Sequence, residues 1–253
     1  MNLYEDQFSE SHDFPSFTGK TRDLIIASTP RCGSHMLGHL LYSTKSLGYP
    51  LEYLNPANLK RWGKITRKNN TSEIVDELRA RRTSPNGVFS CKIHYSHVMN
   101  LGGFSKIFDT FRDCKVVLVT RADLAKQAIS FYVASRTGVW IHGQKPVAEH
   151  PKYNFDEIMN KLDVLRSHNS LWRMNLCALG IPHMEVRFED LVKNSTNEVS
   201  KIADFCNVEL YSKTNFESHM TTKQSGKKNI DWLERFIEDY RAHQGVTLEN
   251  HQS

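Results

Sequence analysis

Apolar residues recur along the chain with two different spacings. Short runs dominated by apolar and β-branched residues at Leu24 to Ala27, Val88 to Ile93 and Val116 to Thr120, and a shorter one at Met184 to Phe188, have the length and content of buried strands. Elsewhere the spacing is helical. Met36, Leu37, Leu40, Leu41 and Leu47 recur up to Gly48, and Leu124 to Arg136, Asn197 to Phe205 and Ile230 to Tyr240 form three more such segments. Phe155 to Leu179 is the longest, with Ile158, Leu162, Leu165, Trp172, Leu176 and Leu179 on one stripe behind a cap at Asn154 and Glu157. Parallel strands need long, usually helical crossovers, so this order predicts an α/β fold with a central parallel sheet flanked by helices.

Residues 1–20 show no period, carry Pro15 and Gly19 as breakers, and read as an extended N-terminal arm. Segments 142–154 and 211–229 are polar and read as loops, the second bearing Lys213, Lys223, Lys227 and Lys228. There is no internal repeat, and 253 residues suit a single domain spanning the chain.

Composition narrows the function classes without choosing one. Hydrophobic residues at 39% and charged residues at 24% exclude a disordered chain. The longest apolar stretches are far short of the ~20 residues of a membrane-spanning helix, and the acidic N-terminus lacks a secretory layout, so the expected location is cytoplasmic. Five cysteines with no C-x-x-C pair read as reduced thiols. The net charge of +5 suits nucleic acid, acidic lipid or an anionic cofactor, but no arginine-rich run or helix-turn-helix pattern supports nucleic-acid binding.

Candidate chemistry begins at Ser28-Thr29-Pro30-Arg31-Cys32-Gly33-Ser34-His35, between the first strand and the first helix. Such a loop brings backbone N–H groups and the positive end of a helix dipole to one point, which suits a phosphate or sulfate. Gly33 permits close backbone approach, and Arg31 adds a fixed charge with several donors. An ordinary strand-to-helix turn is the other reading of these residues alone. The G-x-x-x-x-G-K-[S/T] pattern is absent, which disfavours ATP or GTP hydrolysis.

The run Leu24 to Leu37 resembles the 5′-phosphosulfate loop of sulfotransferases, and most closely that of the Stf0 family. Three further blocks resemble the same family in its order: Arg82 to Phe89 with Lys92; Arg121 with Gln127 to Tyr132 and on to Val139-Trp140; and Lys223-Gln224-Ser225 before Asp231-Trp232. The resemblance implies a P-loop-like sulfotransferase fold. It further implies that PAPS (3′-phosphoadenosine 5′-phosphosulfate) is the sulfuryl donor and PAP the product, with no metal required, and that the chain forms a homodimer.

By the same resemblance, Arg31 stabilises the leaving phosphate, while Cys32, Gly33, Ser34 and His35 cradle the 5′-phosphosulfate and Arg121 with Ser130 clamps the 3′-phosphate. Lys92 neighbours the sulfuryl group, and Lys223 and Gln224 complete the cofactor site. The acceptor hydroxyl needs a general base. Glu52 falls where the family places its catalytic glutamate, whereas His94, in Lys92-Ile93-His94, resembles the Lys-x-His of cytosolic sulfotransferases; both are carried as candidates lining the acceptor site, with Glu52 preferred. Trp140 is a substrate-side candidate because it follows the third block. The implied acceptor is a hydroxyl of a carbohydrate or glycolipid, with peripheral membrane contact where that acceptor is lipid-linked. His35 and His39, four apart on a helix, show no third ligand that would make a metal site. The competing readings are a nucleotide or small-molecule kinase and a non-catalytic PAP- or nucleic-acid-binding protein.

Overall fold

A strand buried on both faces reads as a near-continuous apolar run, and β1 (Arg22–Ser28) is buried after its first residue, with Leu24 to Ala27 at its centre and the buried Asp23 paired to Arg79. Leu24 and Ile26 pack on one face with Leu37, Leu40 and Leu41; Ile25 and Ala27 pack on the other with Tyr53, Trp62 and Phe89. The structure, a computed structural model, describes residues 4–111, 113–141, 143–211 and 227–245. β2 (Val88–His94), β3 (Lys115–Thr120) and β4 (His183–Arg187) join β1 in a four-stranded sheet of order β2-β1-β3-β4, every pair parallel. The sheet is flanked by helices, which gives the α/β architecture the apolar pattern predicts.

β1 hydrogen-bonds to β2 on one side and to β3 on the other, so successive connections leave it in opposite directions. The carboxyl ends of these three strands border one crevice, the position at which open α/β sheets bind ligands. The register sets Ser28 opposite both His94 of β2 and Val119 of β3.

Ten α-helices fall within the described residues: α1 (Ser34–Ser43), α2 (Pro56–Thr66), α3 (Thr71–Arg82), α4 (Tyr95–Asn100), α5 (Gly103–Thr110), α6 (Leu124–Thr137), α7 (Phe155–Ala178), α8 (Phe188–Lys193), α9 (Ser195–Cys206) and α10 (Lys227–His243). Several depart from the sequence expectations. α1 stops at Ser43 because Thr44 Oγ1 turns back to donate to the Leu41 carbonyl at 2.6 Å and Lys45 takes a left-handed φ of 56°, although Leu47 still joins the same core. Residues 53–70, for which the apolar spacing predicts no element, contain α2, which starts with Asn55 capping the Ala57 N–H and Pro56 in the first turn. That helix buries only Asn58 and Trp62, so it carries no apolar stripe to detect. Phe188 opens α8 instead of ending the last strand, and α10 begins at Lys227, inside the segment read as a loop.

The N-terminal arm also departs from a plain extended run. It holds two short 3-10 turns, Glu5–Phe8 and Glu10–His12. Arg82, with no exposed side-chain surface, ties them down: it donates to the carbonyls of Gln7 at 3.2 Å and Ser9 at 2.9 Å, and its Nε lies 2.9 Å from Asp13 Oδ1. Removing one partner of a buried charged cluster strands the others, at a cost of about 3 kcal/mol. Arg82→Ala should therefore lower the urea midpoint markedly and open the arm to limited proteolysis. An unchanged midpoint with an intact arm would refute this anchoring role.

Candidate active site

The loop after β1 takes its shape from two left-handed residues, Arg31 at φ 66° and Gly33 at φ 92°. Glycine is required at the second: a Cβ there would stand 2.3 Å from Phe188 Cδ2, in a conformation L side chains rarely adopt. Gly33 opens α1 and has no side chain to cap it, so the first turn lacks the usual side-chain cap on its N–H groups. The loop is held from beneath. Gln127 of α6 donates to Thr29 Oγ1 at 3.1 Å and to the Pro30 carbonyl at 2.7 Å, and Trp172 Nε1 of α7 donates to the Ser28 carbonyl at 3.1 Å. Cys32 is fully buried and burial pushes its thiol upward, which leaves its backbone as the functional part.

Two arginines crowd this loop. Arg31 donates through Nε to Ser130 Oγ of α6 at 2.9 Å and through its terminal nitrogen to the Trp140 carbonyl. Arg121, the first residue after β3, reaches the Arg31 carbonyl at 3.5 Å and lies over the Phe188 ring. Its Nε is buried with no hydrogen-bond partner among the described residues. Burial, and then repulsion from Arg121, pulls Arg31 down to about 10; burial lowers Arg121 as well. Two partly desolvated cations, an orphaned donor and an uncapped helix N-terminus form a donor set that fits a phosphorylated or sulfated anion. Ser130, expected beside Arg121, is hydrogen-bonded to Arg31, so all three belong to one cluster.

The second group forms at the end of β2. Glu52 lies between α1 and α2, on a segment fixed to β2 by the Lys92 N–H donating to the Leu51 carbonyl at 2.9 Å. A single oxygen, Glu52 Oε1, stands 2.9 Å from Lys92 Nζ and 3.1 Å from His94 Nε2. On the far side of the ring, His94 Nδ1 is 2.8 Å from Ser28 Oγ. With Glu52 ionised, His94 donates Nε2–H to the carboxylate while its Nδ1 meets the Ser28 hydroxyl. Burial alone would raise the Glu52 carboxyl, but Lys92 and then His94 hold it well below the usual range. Nearby His97 is lowered to about 4 by burial and by His94, so it stays neutral.

A cavity of about 260 Å³ opens onto this group. Of the predicted residues, His35, Glu52, Lys92, His94 and Trp140 all line it. Arg31 touches its edge through the Trp140 carbonyl, whereas Arg121 and Ser130 lie on the loop side with Arg31. His35 is pushed down to about 2 by burial, then by Lys92 and His39, and its Nε2 lies 3.0 Å from His39 Nε2. Lys223 and Gln224 lie outside the described residues.

Sequence reasoning passed over several members of the wall. Tyr4 and Gln7 come from the arm, Asn58 from α2, and Phe131 and Gln144 from α6 and the segment after it. Gln7 donates to Asn58 Oδ1 at 3.3 Å, and Asn58 donates to the Glu52 carbonyl at 2.8 Å, so buried amides position the carboxylate's backbone. Ser28, the partner of His94, was noted only as part of the loop. For these residues the local pattern carries no signal, except that Gln127 and Phe131 sit inside the third family-like block.

A loop whose donors fit an anion, at the switch point of a parallel sheet and next to a cavity with its own carboxylate and imidazole, is the arrangement of a group-transfer enzyme of the α/β class. The Stf0 sulphotransferase family model matches residues 23–239, and the chain belongs to that family: it is a sulfotransferase. It is 22% identical to the trehalose 2-sulfotransferase of Mycobacterium tuberculosis over 254 aligned residues, covering 85% of this chain and 94% of that protein. It is 24% identical to the trehalose 2-sulfotransferase of Mycolicibacterium smegmatis, covering 65% and 66%. Among solved structures, a mouse sulfotransferase complexed with PAP superposes with a TM-score of 0.50 at 12% identity, covering 90% of this chain and 84% of that one, a likeness of fold.

The depressed Glu52 carboxyl has a consequence for stability. A group held lower in the folded state stabilises it above its unfolded value, near 4.5, and that contribution is lost as pH falls through the folded value. Glu52→Gln should lower Tm near neutral pH, where Lys92 loses its counter-ion, and the gap to the parent protein should close as pH drops below about 4. Thermal unfolding from neutral to acid pH checks this; a gap that is constant across the range would contradict the electrostatic assignment.

Proposed function

We propose that this enzyme transfers the sulfuryl group of PAPS to a carbohydrate hydroxyl held in the cavity, with Glu52 as the general base. The observation carrying this reading is the single oxygen of Glu52 shared by Lys92 and His94 beside the anion loop. PAPS supplies a sulfuryl group already activated on a phosphate. The α1 N-terminus with the backbone of Cys32, Gly33, Ser34 and His35 holds the 5′ end, while Arg31, Arg121 and Ser130 hold phosphate charge. Arg31 stabilises the oxygen on which charge accumulates as the bond to sulfur breaks.

Glu52 orients the acceptor hydroxyl and takes its proton. Among the described residues only its Oε1 is engaged, which leaves Oε2 for the acceptor. Lys92 divides its charge between Glu52 and any anion on the loop, and each share withdrawn from the carboxylate raises its basicity. His94, locked by Ser28, fixes the carboxylate and donates to it. The indole of Trp140 and ring of Phe131, 6.1 Å apart, suit the apolar face of a sugar, and the amides around them suit its hydroxyls. The two relatives named as trehalose 2-sulfotransferases support a carbohydrate acceptor. A cytoplasmic homodimer completes the proposal and rests on the family resemblance; no helix among the described residues is long and apolar enough to cross a membrane.

Calorimetry with PAP and transfer from labelled PAPS to a glycan panel test these roles. Arg31→Ala should weaken PAP binding by about ten- to a hundredfold, the loss of one charged hydrogen-bonding partner. Glu52→Gln should bind PAP as the parent does while transfer falls by about 10²- to 10⁴-fold. Full transfer by Glu52→Gln would move the base to His94, and PAP binding untouched by Arg31→Ala would overturn the loop assignment.

A further inference from the structure

Between residues 53 and 72 the chain carries Lys60, Arg61, Lys64, Arg67 and Lys68 and no carboxylate. These five charges equal the net +5 of the whole protein, so the remainder of the chain is electrically balanced and the excess sits on one element. Lys60, Lys64, Arg67 and Lys68 line an open groove of about 680 Å³, whose apolar lining includes Leu59, Ile74 and Leu101. None of the five forms an ion pair among the described residues. Two apolar side chains project beside them. Met99, next in the chain to the groove residues Asn100 and Leu101, is 72% exposed, and Ile65, between Lys64 and Arg67, is 36% exposed.

We infer that this face, built by α2 and the end of α4, docks on an anionic phospholipid surface. Clustered Lys and Arg are drawn to acidic headgroups, and an exposed Met and Ile gain only where an apolar phase lies within reach. A single-stranded nucleic acid would instead be met by exposed aromatic rings, and the one aromatic residue of α2, Trp62, is buried. The groove and the catalytic cavity share one turn: Leu54 and Pro56 line the groove, while Asn55 and Asn58 line the cavity. An enzyme seated this way brings one wall of its cavity within a turn of the bilayer surface, so the acceptor class is a lipid-linked saccharide. That last step rests on the proposed function; the docking does not.

Co-sedimentation with vesicles of roughly two parts phosphatidylcholine to one of phosphatidylglycerol tests the inference, with pure phosphatidylcholine as the neutral arm. The protein should bind the anionic vesicles at about 0.1 M salt, ignore the neutral ones, and release as salt rises. Removing four charges with Lys60→Gln, Lys64→Gln, Arg67→Asn and Lys68→Gln should reduce partitioning more than about a hundredfold, since each charge near the surface contributes roughly fivefold. Asn is chosen at Arg67 because that residue is left-handed at φ 58°. PAP affinity should be unchanged in this variant, which separates failure of the docking face from failure of the catalytic reading. Met99→Ser should weaken vesicle binding a few-fold with the same salt dependence. Absence of binding to anionic vesicles, binding that the charge variant leaves intact, or duplex DNA or a heparin oligosaccharide displacing the vesicles while Met99→Ser has no effect would each overturn it. Should the charge variant fail to fold, parent binding that does not weaken with salt overturns it equally.

Discussion

Three segments distant in sequence have to be in register for Glu52 Oε1 to lie within 2.9 Å of Lys92 Nζ and 3.1 Å of His94 Nε2. The parallel pairing of β1 with β2 sets Ser28 against His94, the Leu51 carbonyl bonds the following strand at Lys92, and Asn58 holds the Glu52 carbonyl from α2. A buried carboxylate and ammonium are each costly to desolvate alone, and their mutual attraction offsets this only when geometry is good and the remaining polar atoms are satisfied. The sheet therefore does more than support the site. Strand register is what makes the charge pair tolerable, and the charge pair in turn fixes the segment from which the acceptor side of the cavity is built.

The loop side obeys the opposite logic. Arg31 and Arg121 stand close together, burial lowers both, and repulsion from Arg121 lowers Arg31 further. Such an arrangement is unfavourable when empty of anion and improves as negative charge arrives, which is the behaviour wanted of groups that must respond to charge developing on a leaving phosphate. Lys92 bridges the two regimes, paired to Glu52 while its ammonium belongs to the same cavity as His35 at the loop. The carboxylate is held strongly acidic by its partners, so its usefulness as a base depends on how their charge is shared. In the proposed mechanism the choice between Glu52 and His94 becomes a division of roles on one oxygen.

What the sequence disclosed follows from where information is local. β1 and β3 are buried on both faces and so read as uninterrupted apolar runs, and the loop between β1 and α1 announces itself by Pro30 and Gly33. α2 was hidden because its surface is nearly all polar, and only the Asn55-Pro56 start marked it. Lys92 and His94, at the end of an apolar run, stood out through their resemblance to sulfotransferase blocks. Glu52 stood out only through family resemblance, since a lone glutamate after a Gly-Tyr-Pro turn has no pattern of its own. Gln7 was invisible for a stronger reason: its contact with Asn58 spans 51 residues, and no local rule connects two amides at that separation.

The same division bears on acceptor choice. The groups proposed to act on the sulfuryl donor sit at strand ends and on the loop, inside the stretch matched by the family model, residues 23–239. Part of the cavity wall does not: Tyr4 and Gln7 precede that stretch and reach the cavity only because Arg82 pins the arm from within the core. Within that segment Tyr4 makes no hydrogen bond to the charge pair at β2 among the described residues, whereas Gln7 is tied to it through Asn58 and the Glu52 carbonyl. Identity near 22% to the trehalose enzymes is therefore compatible with retained transfer chemistry and a remodelled acceptor site. The arm around Tyr4 is where such remodelling meets least resistance, and the turn at residues 54–58 separates the cavity from the basic groove.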